Sequence, residues 1–172
     1  MDLNEKINNL KRKAFIDLKK EFFISIFGKG FIDIALMQEF SNSEINTVIS
    51  FIENPKITKN NYRVLPSMII NSERSVTEID KNITSIIDDF FESRVVHYLF
   101  SSIYDSDYEI SGYVIVEKES FIQNFNKLPI TSGFIKNIDN TKFVYYCLSQ
   151  SSEKIYIYKG LIKEEKFIKI VN

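Results

Sequence analysis

The sequence predicts an α+β fold, with N-terminal helices packed against a C-terminal antiparallel meander sheet of four to five strands. Apolar residues recur at three- and four-residue intervals up to about residue 104, then alternate from about residue 110, which is the change from helical to strand period. The later apolar segments are separated by short polar breaks, as hairpins require. A chain of 172 residues, 44% apolar and 14% aromatic, supports one sizeable core. One α+β domain over 1–172 is therefore expected, its helical part spanning about 1–104 and its sheet part about 110–172.

Leu3, Ile7, Leu10, Ala14 and Leu18 form one stripe of a first, amphipathic helix, and Gly28 stands where a C-terminal cap belongs. Between them and the next helix, "FFISIFGKGFIDIALM" is a core segment with a turn at its glycines. Ser41 and Glu44 have capping-box spacing before the stripe Ile45, Val48, Ile49 and Ile52, which Pro55 closes. "NPKITKNNYRVLP" then reads as a loop. Ser75 with Glu78 opens a third helix, on which Val76, Ile79, Ile83, Ile86, Ile87, Phe90 and Phe91 share one face. Beyond Ser93 the apolar residues Val95, Val96, Leu99, Phe100 and Ile103 fall on the opposite side of the same wheel. A straight helix on one core cannot satisfy both halves, so an interruption or a change of packing partner is expected between Glu92 and Arg94. "GYVIVE", "GFIKNI", "KFVYYCLS", "KIYIYKG" and "KFIKIV" read as strands, and "ESFIQNFNKL" as a brief helix.

Gly, Ala, Arg and Pro are scarce beside Ile, Lys, Asn, Phe and Tyr, a bias that matches A/T-rich codons and points to a bacterial or phage gene. The start is polar and charged where a secretory signal needs an apolar stretch, so a cytoplasmic location is expected. The most apolar segment is broken by Gly28, Lys29, Gly30 and Asp33, so no membrane association is expected. One Cys and one His cannot supply a structural zinc site, and no cofactor or metal is expected. His97 has neither E-x-x-H nor H-x-x-x-H spacing to a second ligand. Cys147, in "FVYYCLS", reads as a buried, unreactive thiol rather than a nucleophile paired with His97.

"DSDYEISG" at 105–112 begins like a calcium loop, but Ile110 occupies its glycine position and Val116 the position of its bidentate Glu. "FGKGF" lacks the second half of a phosphate loop. No catalytic constellation stands out, and the chemistry leans away from an enzyme.

Charge is the more informative pattern. Residues 73–119 carry four basic and eleven acidic side chains, a net of −7 within a chain of net −1. Such a face can steer onto a basic surface. The expected function is that of a small binding protein, an inhibitor or immunity-type protein. Its partner would be a protein with a basic surface, such as a nuclease-type toxin or defence protein, met through Asp88, Asp89, Glu92, Asp105, Asp107 and Glu109. No direct nucleic-acid contact is expected. An alternative is a small enzyme or ligand-binding domain with a pocket between the long helix and the sheet. In that reading Arg94, His97, Tyr98, Ser101 and Tyr104 form the contact face. A third is an oligomerisation or structural subunit that uses the first helix, for which an exposed apolar face on that helix would be the sign.

Overall fold

The computed structural model describes residues 2–36, 67–71, 76–105, 108–128, 132–149, 153–163 and 167–171. The expected helix over 41–52, the loop after it and the Ser75 cap lie outside these residues. Helix α1 (Leu3–Phe27) starts where the Asp2 carboxylate accepts the Leu3 amide at 2.6 Å. It stops at Gly28, whose φ of 54° suits a residue without Cβ and whose N–H reaches the Ile24 carbonyl. The Ser120 hydroxyl also donates to the Phe27 carbonyl at 2.9 Å. The glycines of "FGKGF" thus turn the chain from a helix into strand β1 (Phe31–Leu36). Strand β2 (Met68–Asn71) precedes the second helix.

Helix α2 (Val76–Phe90) ends at the expected place, but the chain does not resume as helix after Ser93. Residues 95–105 are strand β3 (Val95–Asp105), so the reversal of the apolar face marks a change of secondary structure. Two β-branched residues open the strand, and side-chain alternation then sends its apolar residues to both faces. The remaining elements are β4 (Tyr108–Glu117), α3 (Lys118–Asn124), β5 (Ser132–Asn137), β6 (Lys142–Ser149), β7 (Lys154–Lys163) and β8 (Phe167–Val171). The last five strands and the brief helix match the sequence expectation. The sheet also recruits β1, β2 and β3 from the first 105 residues, which corrects the expected four to five strands to eight.

All pairings are antiparallel, in the order β1-β4-β3-β5-β6-β7-β2, with β8 also on β7. Since β6 occupies one edge of β7, β2 and β8 share the other: β2 pairs residues 154–157 and β8 residues 159–163. The Ser67 hydroxyl accepts the Lys159 amide at 3.2 Å where these two half-strands meet.

The helices lie on one face of the sheet. Val96, Tyr98, Val114, Val116, Ile135, Val144, Tyr146, Ile155 and Ile157 point toward them and pack against Phe23, Phe27, Ile79, Ile83, Ile87, Phe91, Phe121 and Phe125. Phe27 stacks on Phe121 and Phe125 meets Tyr146 edge to face. The Tyr146 ring lies over Gly133, its register partner, and a Cβ there would overlap it. In that position the Tyr146 hydroxyl shares a hydrogen bond with the Tyr98 hydroxyl.

Candidate functional site

The residues singled out in the sequence do not form one surface. Asp88, Asp89 and Glu92 are exposed at the C-terminal end of α2. That helix end presents carbonyls without intrahelical partners, and two lysines take them. Lys118 donates to the Phe91 carbonyl at 2.8 Å and the Asp88 carbonyl at 3.2 Å, and pairs with the Asp88 carboxylate at 2.9 Å. Lys142 reaches the Phe90 carbonyl at 3.3 Å and pairs with Glu92 at 3.1 Å. The local field is therefore much weaker than the count of carboxylates implies. Asp105 and Glu109 lie at the other end of the 11-residue strand β3, roughly 30 Å from Val95 along the strand. Their backbones are placed in the β3–β4 hairpin, and Asp107 lies outside the described residues. The five described positions are thus split between opposite ends of β3.

The second group divides for a different reason. His97 and Tyr98 are consecutive in a strand, so their side chains face opposite ways. Tyr98 is buried under the helices, while His97 lies on the far face beside Tyr113, at 6.0 Å between ring centroids. Arg94 sits in the turn before β3 and is exposed. It lines an open groove of about 840 Å³ with Ile32, Asp88, Glu117, Lys118 and Ile122. Ser101 and Tyr104 continue β3 away from that groove. Arg94 and His97 do not converge on a common pocket.

On the far face, strand register aligns Ile115, His97, Lys136, Phe143 and Gly160 across five strands. The neighbouring positions bring together Tyr113, Phe134, Tyr145 and Tyr158, all buried, with Leu99, Cys147, Tyr156 and Ile162 packed against them. Cys147 is only half-buried, more open than its strand neighbours Tyr145 and Tyr146. The Lys136 ammonium lies 4.2 Å from the Tyr113 ring centre. Burial, and then the Lys136 charge, lower the His97 pKa below its ordinary value, so the imidazole is neutral at pH 7. Burial, with Cys147 and Tyr156 nearby, pushes Tyr158 up to about 12. The described residues on this face form an aromatic layer with a neutral imidazole at one side. Among the described residues no three His, Cys, Asp or Glu side chains gather to hold a metal ion.

The fourth surface is on α1. Only Phe23, Ile26 and Phe27, in its last two turns, are buried, with Phe15 and Ile16 partly covered. Leu3 and Leu10 are 69% exposed, Leu18 62% and Ile7 42%. These four and Ala14 are the stripe legible in the sequence. On a helical wheel the stripe lies about 170° from the buried set, on the side of α1 facing away from the sheet. Sequence reasoning found the stripe and named its exposure as the sign of an oligomerisation or structural subunit. A second apolar set, Phe15, Phe23, Ile26 and Phe27, was the available signal that the core is met by another face.

No family model matches the chain, and neither a curated protein nor a solved structure matches it. Among the described residues no helix is long and apolar enough to cross a membrane.

Proposed function

We propose that this chain is a binding protein that meets a macromolecular partner through the outer stripe of α1, the exposed apolar face expected of an oligomerisation or structural subunit and equally open to an inhibitor or immunity-type contact. The supporting observation is the exposure of Leu3, Ile7, Leu10 and Leu18 on a 25-residue helix whose buried residues, Phe23, Ile26 and Phe27, lie at its C-terminal end on another face. An isolated exposed leucine is ordinary. Four large apolar side chains repeating along one side of a helix are the pattern by which helices dock in grooves or against other helices.

A second reading keeps the acidic end of α2 as the contact. Asp88 and Glu92 remain exposed despite their lysine partners, and Asp89 beside them is exposed too, so a basic surface can still reach them. A photo-crosslinking side chain placed at Leu10, at Asp89, or at the exposed control position Lys154 separates the two in the source cell. A stoichiometric adduct from position 10 and none from 154 is expected. An adduct from position 89 alone moves the contact to the acidic end, and no adduct from either sinks the binding reading.

A further inference from the structure

The open groove of about 840 Å³ beside Arg94 lies where the start of β1, the turn from α2 into β3 and the junction of β4 with α3 come together. Its walls are pinned. The three ammonium protons of Lys118 go to the Phe91 carbonyl, the Asp88 carbonyl and the Asp88 carboxylate. The Lys118 amide donates to the Arg94 carbonyl at 2.7 Å, and Ser120 ties α3 to the end of α1.

This frame leaves two charges unused. Arg94 shares the groove with the carboxylates of Asp88, Glu117 and Glu119, and among the described residues it pairs with none of them. Asp88 is held by Lys118, and Glu119 accepts from the Gln123 amide at 3.4 Å. Glu117 precedes α3 without capping it, since its side chain makes no bond to that helix. Both Arg94 and Glu117 are exposed. Glu117 is the register partner of Val95, the residue after Arg94, so the two charges are anchored on backbones about 6 Å apart. A small ligand with two opposite charges can bridge them.

The rest of the lining that matters is apolar. Ile32 falls at the irregularity that interrupts the pairing of β1 with β4 between Phe31 and Asp33, and it is 50% exposed. Such a bulge re-aims a side chain, and Ile32 lines the groove together with the half-buried Val95 and Ile122. A ligand that meets all three features carries a carboxylate for Arg94, an ammonium a few bonds away for Glu117, and an apolar side chain for Ile32, Val95 and Ile122. A purely anionic ligand would face Glu117 and Glu119, and a purely cationic one would face Arg94. A longer peptide would hold its two termini too far apart to reach both charges.

We infer that this groove binds an apolar α-amino acid carrying both of its charges, either free or as a dipeptide. Its volume falls within the range of about 300–1,000 Å³ usual for small-ligand sites. None of these residues belongs to α1, so this site and the contact proposed for that helix are independent.

The test titrates the full chain, isotope-labelled for NMR, to millimolar concentrations of leucine, leucyl-leucine, N-acetylleucine and leucinamide. Saturable shifts at the amides of Ile32, Arg94, Val95 and Ile122 are expected with the first two ligands. Removing either ligand charge should weaken binding by about fivefold, the worth of one exposed ion pair. Arg94→Gln is expected to erase the difference between leucine and leucinamide while keeping that between leucine and N-acetylleucine. Glu117→Gln should do the converse, a crossed pattern that loss of structure does not produce. Circular dichroism verifies that both variants remain folded, as exposed positions allow. Tighter binding of leucine than of leucyl-leucine assigns the free amino acid as the source, and the reverse order assigns the dipeptide. Four results overturn the inference: no saturable shifts with either zwitterion, equal or tighter binding of leucinamide or N-acetylleucine, shifts confined to another surface, or variants that leave both differences intact.

Discussion

Replacing Lys118 by Met tests how α2 is terminated, because the change removes the charge and keeps most of the apolar stem. The ammonium makes a 2.8 Å bond to the Phe91 carbonyl and a 3.2 Å bond to the Asp88 carbonyl. Its side chain is only 18% exposed. A hydrogen bond to a charged group contributes about 1.5–3 kcal/mol, and a cation at a helix C-terminus about 0.3–1 kcal/mol. The ion pair to Asp88 adds little, since that carboxylate is well exposed and an exposed pair contributes about 0–1 kcal/mol. These contributions overlap, so a total loss of about 2–3 kcal/mol is expected rather than their sum. For a chain of this size it lowers the melting temperature by roughly 5–10 °C. Urea titration reads it as a shifted midpoint with unchanged slope. A double-mutant cycle with Asp88→Asn should give a coupling of about 0.5 kcal/mol. A loss below about 0.5 kcal/mol for Lys118→Met, or an equal loss for Asp88→Asn alone, would refute the claim that the carbonyls matter more than the carboxylate. One corollary concerns charge reversal. Lysine at position 88 or 92 would face Lys118 or Lys142, so Asp89→Lys is the substitution that probes steering without disturbing the helix end.

Two further outcomes concern the sheet. Gly133→Ala forces a methyl group against the fully buried Tyr146 ring and displaces its hydroxyl from Tyr98, for a loss of about 2–4 kcal/mol. Denaturation of the variant measures this, and an unchanged midpoint contradicts the close approach of ring and strand. His97, the lone histidine, should titrate by NMR with a midpoint below 6.5, and Lys136→Met should raise that midpoint only in part, because burial is the larger cause. Since the folded-state value is depressed, the contribution to stability is present above pH 6.5 and is lost as pH falls through the folded-state value. A midpoint at or above 6.5 would place the imidazole in a different environment.

The C-terminal ends of the two long described helices were legible because caps and periodicity are local. Gly28 and the reversal after Ser93 each marked a real end. The strand beyond Ser93 was not legible, because a strand buried on both faces presents Val95, Val96, Leu99 and Phe100 as a run that a helical wheel can also accommodate. β2, with four residues, is too short to carry a period. The carboxylates of residues 73–119 could be counted in the sequence, but Lys118 and Lys142, 30 and 50 positions beyond their partners, could not be paired with them before the fold was in view. The α1 stripe illustrates the same limit. Periodicity reveals that a helix has a face, and only tertiary packing decides whether that face turns inward.

The shared outer edge of β7 has a consequence for the order in which the chain acquires its structure. β8 comes after β7 with a short connection, so this half of the edge closes as a local hairpin. β2 must wait, since Asn71 pairs with Lys154, 83 positions later. During synthesis its strand emerges long before its partner exists. Loop-closure entropy makes it a late arrival in folding as well. A long apolar strand left waiting in this way would template association between nascent chains. Four residues, Met68–Asn71, offer too little ladder for that. Dividing the edge between a prompt segment and a delayed one keeps the delayed one short.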